Sequence, residues 1–320
     1  MADTELNHEF AIEISGLKKR FDSLWAVDDL SFKVPSGVIA GFVGPNGSGK
    51  TTTMRVLATL LKQDEGTARV FGIDTRSEEG AKRVRHAIGF MPDYFGLYSD
   101  MTAGEYLQFF GAAYRIPPAK RDALVGDILS LVNLDEKHDT LISGLSRGMQ
   151  QKLSLGRCLI HSPKLLLLDE PASGLDPRAR IELMELLREL RNMGKTIFIS
   201  SHILSELHSL CDMVVIIDKG KPVFTGSIED ASHGVLAGKQ FLELTIGSDL
   251  ESAATLIEGI EGVLSLRRKD SLVLVEHDET TSSAAILKTC VNQDVVVEEA
   301  RRGSKNLEEI FMHMTGPGEE

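Results

Sequence analysis

Eight residues, Gly44-Pro45-Asn46-Gly47-Ser48-Gly49-Lys50-Thr51, constrain this chain more than any other stretch it contains. They fit the pattern G-x-x-x-x-G-K-S/T. The apolar run Val38-Ile39-Ala40-Gly41-Phe42-Val43 before them reads as a buried strand, and Thr51 to Leu61 after them reads as a helix. A strand, a glycine-rich turn and a helix in that order aim successive backbone N–H groups and the positive end of the helix at one point, which suits a polyphosphate. In that geometry Lys50 reaches the outer phosphates and the Thr51 hydroxyl ligates Mg²⁺, with Thr52 beside them. A bare glycine-rich turn would require neither flanking element.

The downstream pattern agrees with an α/β fold of the P-loop kind. Leu165 to Leu168, Thr196 to Ile199 and Met213 to Ile217 are short apolar runs separated by helical patterns such as Ile181 to Leu190, as in buried parallel strands with crossover helices. Between about Met101 and Leu155 the pattern is helical, with Pro117-Pro118 separating two segments. Near Gly234 to Lys239 the texture changes. The remainder alternates β-α-β-β-α-β, which predicts a small ferredoxin-like α+β domain closed by a helix over Leu307 to Met314. The 320 residues suit two domains, at about 150 residues each. They are expected at 10–232 and 238–316.

The run Leu165 to Leu168 delivers Asp169-Glu170 at its C-terminal edge, where ligands gather in open α/β sheets. Asp169 is expected to hold the Mg²⁺ through water, and Glu170 to act as general base toward an attacking water. Thirty-five Lys and Arg against 47 Asp and Glu leave a net charge of −12, which argues against gripping nucleic-acid phosphates. Cys158, Cys211 and Cys290 lie far apart and read as reduced, buried thiols. The start Met1-Ala2-Asp3-Thr4-Glu5 is acidic, and no stretch of mostly apolar residues reaches membrane-spanning length, so the chain is expected to be cytoplasmic.

These motifs together resemble the ATP-binding subunit of an ABC transporter. Leu145-Ser146-Arg147-Gly148-Met149 is similar to the family's signature motif, Ser173-Gly174-Leu175-Asp176 to its D-loop, and His202 to its switch histidine, which contacts the γ-phosphate. Phe21 falls where the family stacks an aromatic ring on adenine, although Trp25 competes for that role. The likeness covers about residues 10 to 230 in five ordered motifs. It implies ATP and Mg²⁺ as ligands, with Lys50, Glu170 and His202 catalytic. It further implies a head-to-tail dimer in which Leu145 to Met149 serve the second subunit's nucleotide, with Asp176 as the D-loop aspartate. Taken alone, Ser146 and Gly148 are equally a helix cap and a turn.

Two departures stand out. Arg147 occupies a position where glycine is commoner, a variant resembling the ATPases of ABC-2 type exporters; its charge either lies near phosphate or is solvated. After Ile88-Gly89-Phe90-Met91 the family carries a glutamine, whereas this chain reads Pro92-Asp93. Asp93 either touches Mg²⁺ or its water, or caps a turn. The following Tyr94-Phe95-Gly96-Leu97-Tyr98 is an interface candidate, packing against the helical subdomain being the alternative. The resemblance implies ATP hydrolysis that powers transport, in the direction of export, through a separately encoded ABC-2 type permease, with the chain peripheral on the cytoplasmic membrane face. An ATPase acting on ribosomes or DNA is disfavoured by the single cassette and the acidic balance. An ATP sensor without turnover is disfavoured by the intact Lys50, Asp169, Glu170 and His202.

Overall fold

Alternating apolar residues build the first layer. Strand β1 (Phe10–Phe21), whose register is interrupted by bulges, buries Ala11, Ile12, Ile14 and Leu17, and in β2 (Leu24–Pro35) alternate side chains Leu30, Phe32 and Val34 turn inward. With β4 (Glu65–Val70) and β5 (Ile73–Asp74) they form an antiparallel sheet in the order β2-β1-β4-β5. The computed structural model describes residues 8–94, 96–202, 207, 209–228, 230, 239–269, 271–278 and 280–302.

Continuous apolar runs build the second layer. It comprises β3 (Ile39–Val43), β6 (Ile88–Met91), β7 (Leu165–Leu168), β8 (Thr196–Ser201), β9 (Met213–Asp218) and β10 (Lys221–Ser227), in the order β10-β9-β3-β8-β7-β6. Every pairing is parallel except that of the edge strand β10 with β9. All residues of β3, β7 and β8 are buried, because both faces of this sheet are covered. Phe32 of the first sheet lies 5.7 Å from both Phe42 and Phe198 of the second, which are themselves 5.0 Å apart. These three rings join the two layers in one core.

Register brings the functional segments to one edge. Met91 pairs with Leu168, Leu168 with Ile199, and Val43 with Ser201, so the residues that follow these strands emerge side by side. The helices are α1 (Lys50–Leu57), α2 (Glu78–Ala87), α3 (Ala103–Ala113), α4 (Pro118–Leu131), α5 (Arg147–Leu159) and α6 (Pro177–Asn192). Thr102 and Glu105 form a reciprocal capping box at α3, and Pro118 opens α4 at a position where no N–H is needed.

The chain divides into two compact units, Met1–Ile228 and Glu229–Glu320. The second contains β11 (Lys239–Ile246), α7 (Leu250–Glu258), β12 (Val263–Lys269), β13 (Leu272–Asp278), α8 (Ser283–Asn292) and β14 (Val297–Arg302). Its antiparallel sheet runs β12-β13-β11-β14, the ferredoxin-like order. Leu242, Leu244, Val273 and Val275 bury one face of it with Ile257 of α7 and Ile286 of α8.

Two elements differ from the sequence expectation. Helix α1 ends at Leu57 instead of Leu61, because Thr59 takes a left-handed φ of 61° and the N–H groups of Leu60 and Leu61 both turn back to the Arg55 carbonyl. The last strand, which the apolar pattern predicts over Val295 to Glu298, begins at Val297, since Asp294 turns at φ 58° and the Val296 N–H is taken by Ser248 Oγ. The helix expected over Leu307 to Met314, residue Phe95 and positions 234–238 lie outside the described residues. All three cysteines are buried and free. Among the described residues no helix is long and apolar enough to cross a membrane.

Phe198→Ala removes the ring that touches both layers and is expected to lower unfolding free energy by about 3–5 kcal/mol. Leu60→Ala, at a residue 63% exposed, is expected to cost no more than about 0.5 kcal/mol in the same denaturant titration.

Candidate active site

The loop after β3 is shaped by glycine at the places where no other residue fits. A Cβ on Gly44 would come within 2.4 Å of the Ile217 carbonyl oxygen and of Ser48 Oγ, and one on Gly49, at φ 104°, within 2.4 Å of the Ala26 carbonyl oxygen. Helix α1 follows with no side-chain cap and no acidic residue in its first turn, so its leading N–H groups are left for an anion. Lys50, only 6% exposed, folds over the loop. Its Nζ donates to the carbonyls of Gly44 at 2.7 Å and Pro45 at 3.2 Å, and lies 3.6 Å from Glu170 Oε1.

Strand β7 places Asp169 and Glu170 against this loop. Asp169 is 1% exposed. Its Oδ1 accepts from Ser200 Oγ at 2.7 Å, and the same Ser200 oxygen accepts the Glu170 N–H at 2.9 Å. One hydroxyl therefore ties the side chain of the first acid to the backbone of the second, which bends through a left-handed φ of 49°. Burial pushes the Asp169 carboxyl above its ordinary range; the Ser200 and Thr51 hydroxyls oppose that rise, and the charges of Glu170 and Asp93 add to it. Asp169 Oδ2 and Ser48 Oγ are buried without a hydrogen-bond partner in the protein. Glu170 Oε2 meets His202 Nδ1 at 2.7 Å, which draws Lys50, Glu170 and His202 into one line.

These groups open on a cleft of about 510 Å³. Its walls bring together Phe21, Asn46, Gly47, Gly49, Lys50, Thr51, Thr52, Asp93, Glu170 and His202 from segments far apart in sequence. Phe21, 46% exposed, faces the cleft across the hairpin from Leu24. Trp25 does not line it: Arg20 and Lys18 cover its ring at 5.4 and 5.8 Å.

The signature segment lies elsewhere. Leu145 is buried, Ser146 caps α5 by accepting the Met149 N–H at 3.4 Å, and Asp176 caps α6 by accepting from Arg178 and Ala179, each at 3.0 Å. None of them lines the cleft of the same chain. Arg147 is exposed but not free, since its Nη2 donates to the Ser173 carbonyl at 3.1 Å, and its own side chain does not line that cleft. Ser200, Leu24 and Ser173 are site residues that the motifs do not reveal. Ser200 has no distinct signal, being one of three hydroxyl residues, with Thr196 and Ser201, in the buried strand β8.

A buried lysine, an uncapped helix start and paired carboxylates around a cleft of this size suit a nucleoside polyphosphate and the hydrolysis of its terminal phosphate. Comparisons with known proteins agree. The ABC transporter family model matches residues 27–173. The daunorubicin/doxorubicin resistance ATP-binding protein of Streptomyces peucetius is 32% identical over 307 residues, 96% of this chain and 92% of that one. The Nod factor export ATP-binding protein I of Ralstonia nicotianae is 32% identical over 306 residues, 95% of this chain and 94% of its own length. Among solved structures, an ATP-binding subunit of an ABC transporter superposes with a TM-score of 0.63 at 27% identity, covering 70% of this chain and 92% of that one. The strand-edge cleft and this full-length similarity lead to one conclusion: the chain belongs to the ABC transporter family, as an ATP-binding subunit whose hydrolysis of ATP is coupled to transport.

Proposed function

We propose that this chain powers an ABC-2 type exporter, using Mg²⁺-ATP and acting on a separately encoded membrane permease from its cytoplasmic face. The observation that carries the ATPase half is the contact line Lys50–Glu170–His202 at the mouth of the P-loop. Lys50 and the α1 N–H groups hold the outer phosphates, and Phe21 stacks on adenine. Glu170 takes the proton of the attacking water, and His202 orients Glu170 and reaches the γ-phosphate. The residues present fit Mg²⁺ as part of the nucleotide. The unpartnered Asp169 Oδ2 and the Thr51 hydroxyl are oxygen donors beside a surplus of carboxylate. Among the described residues no cluster of three His, Cys, Asp or Glu forms a cage of its own. Asp93 lines the same cleft and adds its charge at Asp169, and in this reading it shares that cation through water. When bound, the cation neutralises charge that develops on the phosphates.

The signature segment and Asp176 serve the nucleotide of a second copy in a head-to-tail dimer, which accounts for their lying away from the cleft they resemble parts of. Residues 10–232 form the nucleotide-binding domain, and 238–316 an accessory one. The relatives named for drug resistance and Nod factor export support export. Contact with a permease is supported by the exposed aromatics Tyr94, Tyr98 and Phe109, at 85%, 50% and 46%, of which Tyr98 also packs edge-on against Tyr106 and Phe109 of α3. Nucleic acid is not a partner in this reading.

Glu170→Gln is expected to lower ATP turnover by about 10²–10⁴-fold while ATP still binds and holds a dimer. A variant that stays monomeric at saturating ATP by light scattering removes the dimer from the reading. Pull-down of the full chain from detergent-solubilised membranes should recover a polytopic membrane protein; recovery of ribosomal proteins in its place overturns the transporter assignment. The raised Asp169 carboxyl costs folding stability once pH exceeds the ordinary carboxylate range, because the folded state then holds a buried charge that the unfolded state solvates. Asp169→Asn should therefore raise the melting temperature of the nucleotide-free protein at neutral pH by a few degrees, flatten its acid-side pH dependence, and abolish hydrolysis.

A further inference from the structure

Arg147 stands at the first position of α5, directly after its Ser146 cap. A cation there opposes the positive end of the helix, so a freely solvated arginine is a poor choice for the position. Its side chain folds back instead. Nη2 donates to the Ser173 carbonyl at 3.1 Å, and the guanidinium lies so close over Gly174 that a Cβ at that residue would be 2.6 Å from Arg147 Cζ. Gly174 also holds a φ of 70°, a backbone conformation that favours glycine and leaves the face under the guanidinium open.

Two further contacts join the same pieces. Gln151, 1% exposed, donates its side-chain amide to the Pro171 carbonyl. Gly148 packs so tightly that a Cβ would sit 3.2 Å from Ala179 Cβ, in the first turn of α6.

We propose that Arg147 is a positioning residue, which clamps the signature segment Leu145–Met149 to the loop Ser173–Asp176 of the same chain so that the two move as one body. The inference rests on the dimeric reading above, in which the signature segment faces the nucleotide of the second copy, whereas Ser173 of the loop lines the cleft of its own chain. A guanidinium folded onto its own chain is withdrawn from that nucleotide, and the α5 N–H groups are left as the phosphate donors. A planar fork that donates to a carbonyl while covering a glycine face suits arginine better than lysine. A shift of the loop on turnover at one site then displaces the signature segment that serves the other.

Hydrogen exchange on the nucleotide-free full chain tests the clamp without needing the dimer. In Arg147→Ala, amides of 171–177 should exchange about five- to tenfold faster, with those of β3 unchanged. In steady-state ATP hydrolysis the same variant should lose about tenfold in kcat, with KM for ATP within about twofold of the parent, and Arg147→Lys should recover only part of the loss. Unchanged exchange at 171–177, or a rise in KM with kcat intact, overturns the proposal, since either points to direct phosphate contact or to no role. If Glu170→Gln fails to dimerise while the exchange still rises, the dimer is wrong and the clamp stands.

Discussion

The parallel pairing of β3 between β8 and β9 is the constraint on which the rest of the ATPase unit depends. Because all five of its residues are buried, β3 cannot slide along its neighbours without exposing apolar side chains or breaking the contact of Phe42 with Phe32 and Phe198. That register then decides the chemistry. With Phe42 opposite Ser200 and Val43 opposite Ser201, the loop carrying Lys50 and the strand end leading to His202 leave the sheet at one level. The pairing of Leu168 with Ile199 and Met91 sets Asp169 and the Pro92-Asp93 turn beside them. A slip of one residue in β7 would exchange the faces presented by Asp169 and Glu170.

Charge is the second organising quantity. The charges of Glu170 and Asp93 both act on the buried Asp169, and Glu170 is the acid that approaches Lys50, at 3.6 Å. Asp169 is kept in this company by an uncharged partner, the Ser200 hydroxyl, whose oxygen also accepts a backbone N–H and so cannot turn away without leaving a buried donor unpaired. The overall charge of −12 has little bearing on this balance. An anionic nucleotide is met locally by Lys50, by backbone N–H groups and, in the proposed reading, by the cation it brings with it, so an acidic protein binds an acidic ligand without contradiction.

What the sequence made legible is whatever is contiguous. The P-loop, the Asp169-Glu170 pair and His202 are short segments tied to strands whose apolar runs are unmistakable, and the order β-α-β-β-α-β of the second unit follows from period alone. What remained hidden depends on partners distant along the chain. Ser200 is one serine among many until Phe42 lies opposite it, and the choice of Phe21 over Trp25 depends on which face of the β1–β2 hairpin meets the cleft. Arg147 reads as solvated or phosphate-directed because nothing in its neighbourhood announces that Ser173, 26 residues later, offers a carbonyl. The early end of α1 escaped the pattern for a related reason: Leu60 and Leu61 continue the apolar periodicity, while the left-handed turn at Thr59 sends them out of the helix.

Asp93 shows how a single departure from the family pattern changes the physics of a strand. It follows β6, an edge strand of four residues that pairs only with β7 and is therefore the least restrained of the parallel set. A glutamine amide there would feel little net force from the neighbouring acids. A carboxylate is repelled by Asp169 and Glu170 while the cleft holds only protein charge, and is drawn toward them once a divalent cation lies between. In the proposed reading, the sign of the force on the end of β6 thus reverses with the metal nucleotide. Gly89 and Phe90 of the same strand line a small cavity beside Phe110 and Tyr114, and the Phe90 carbonyl accepts from Arg157 at 3.1 Å. The four residues of β6 thus run from this cavity to the turn that carries Asp93 into the nucleotide cleft.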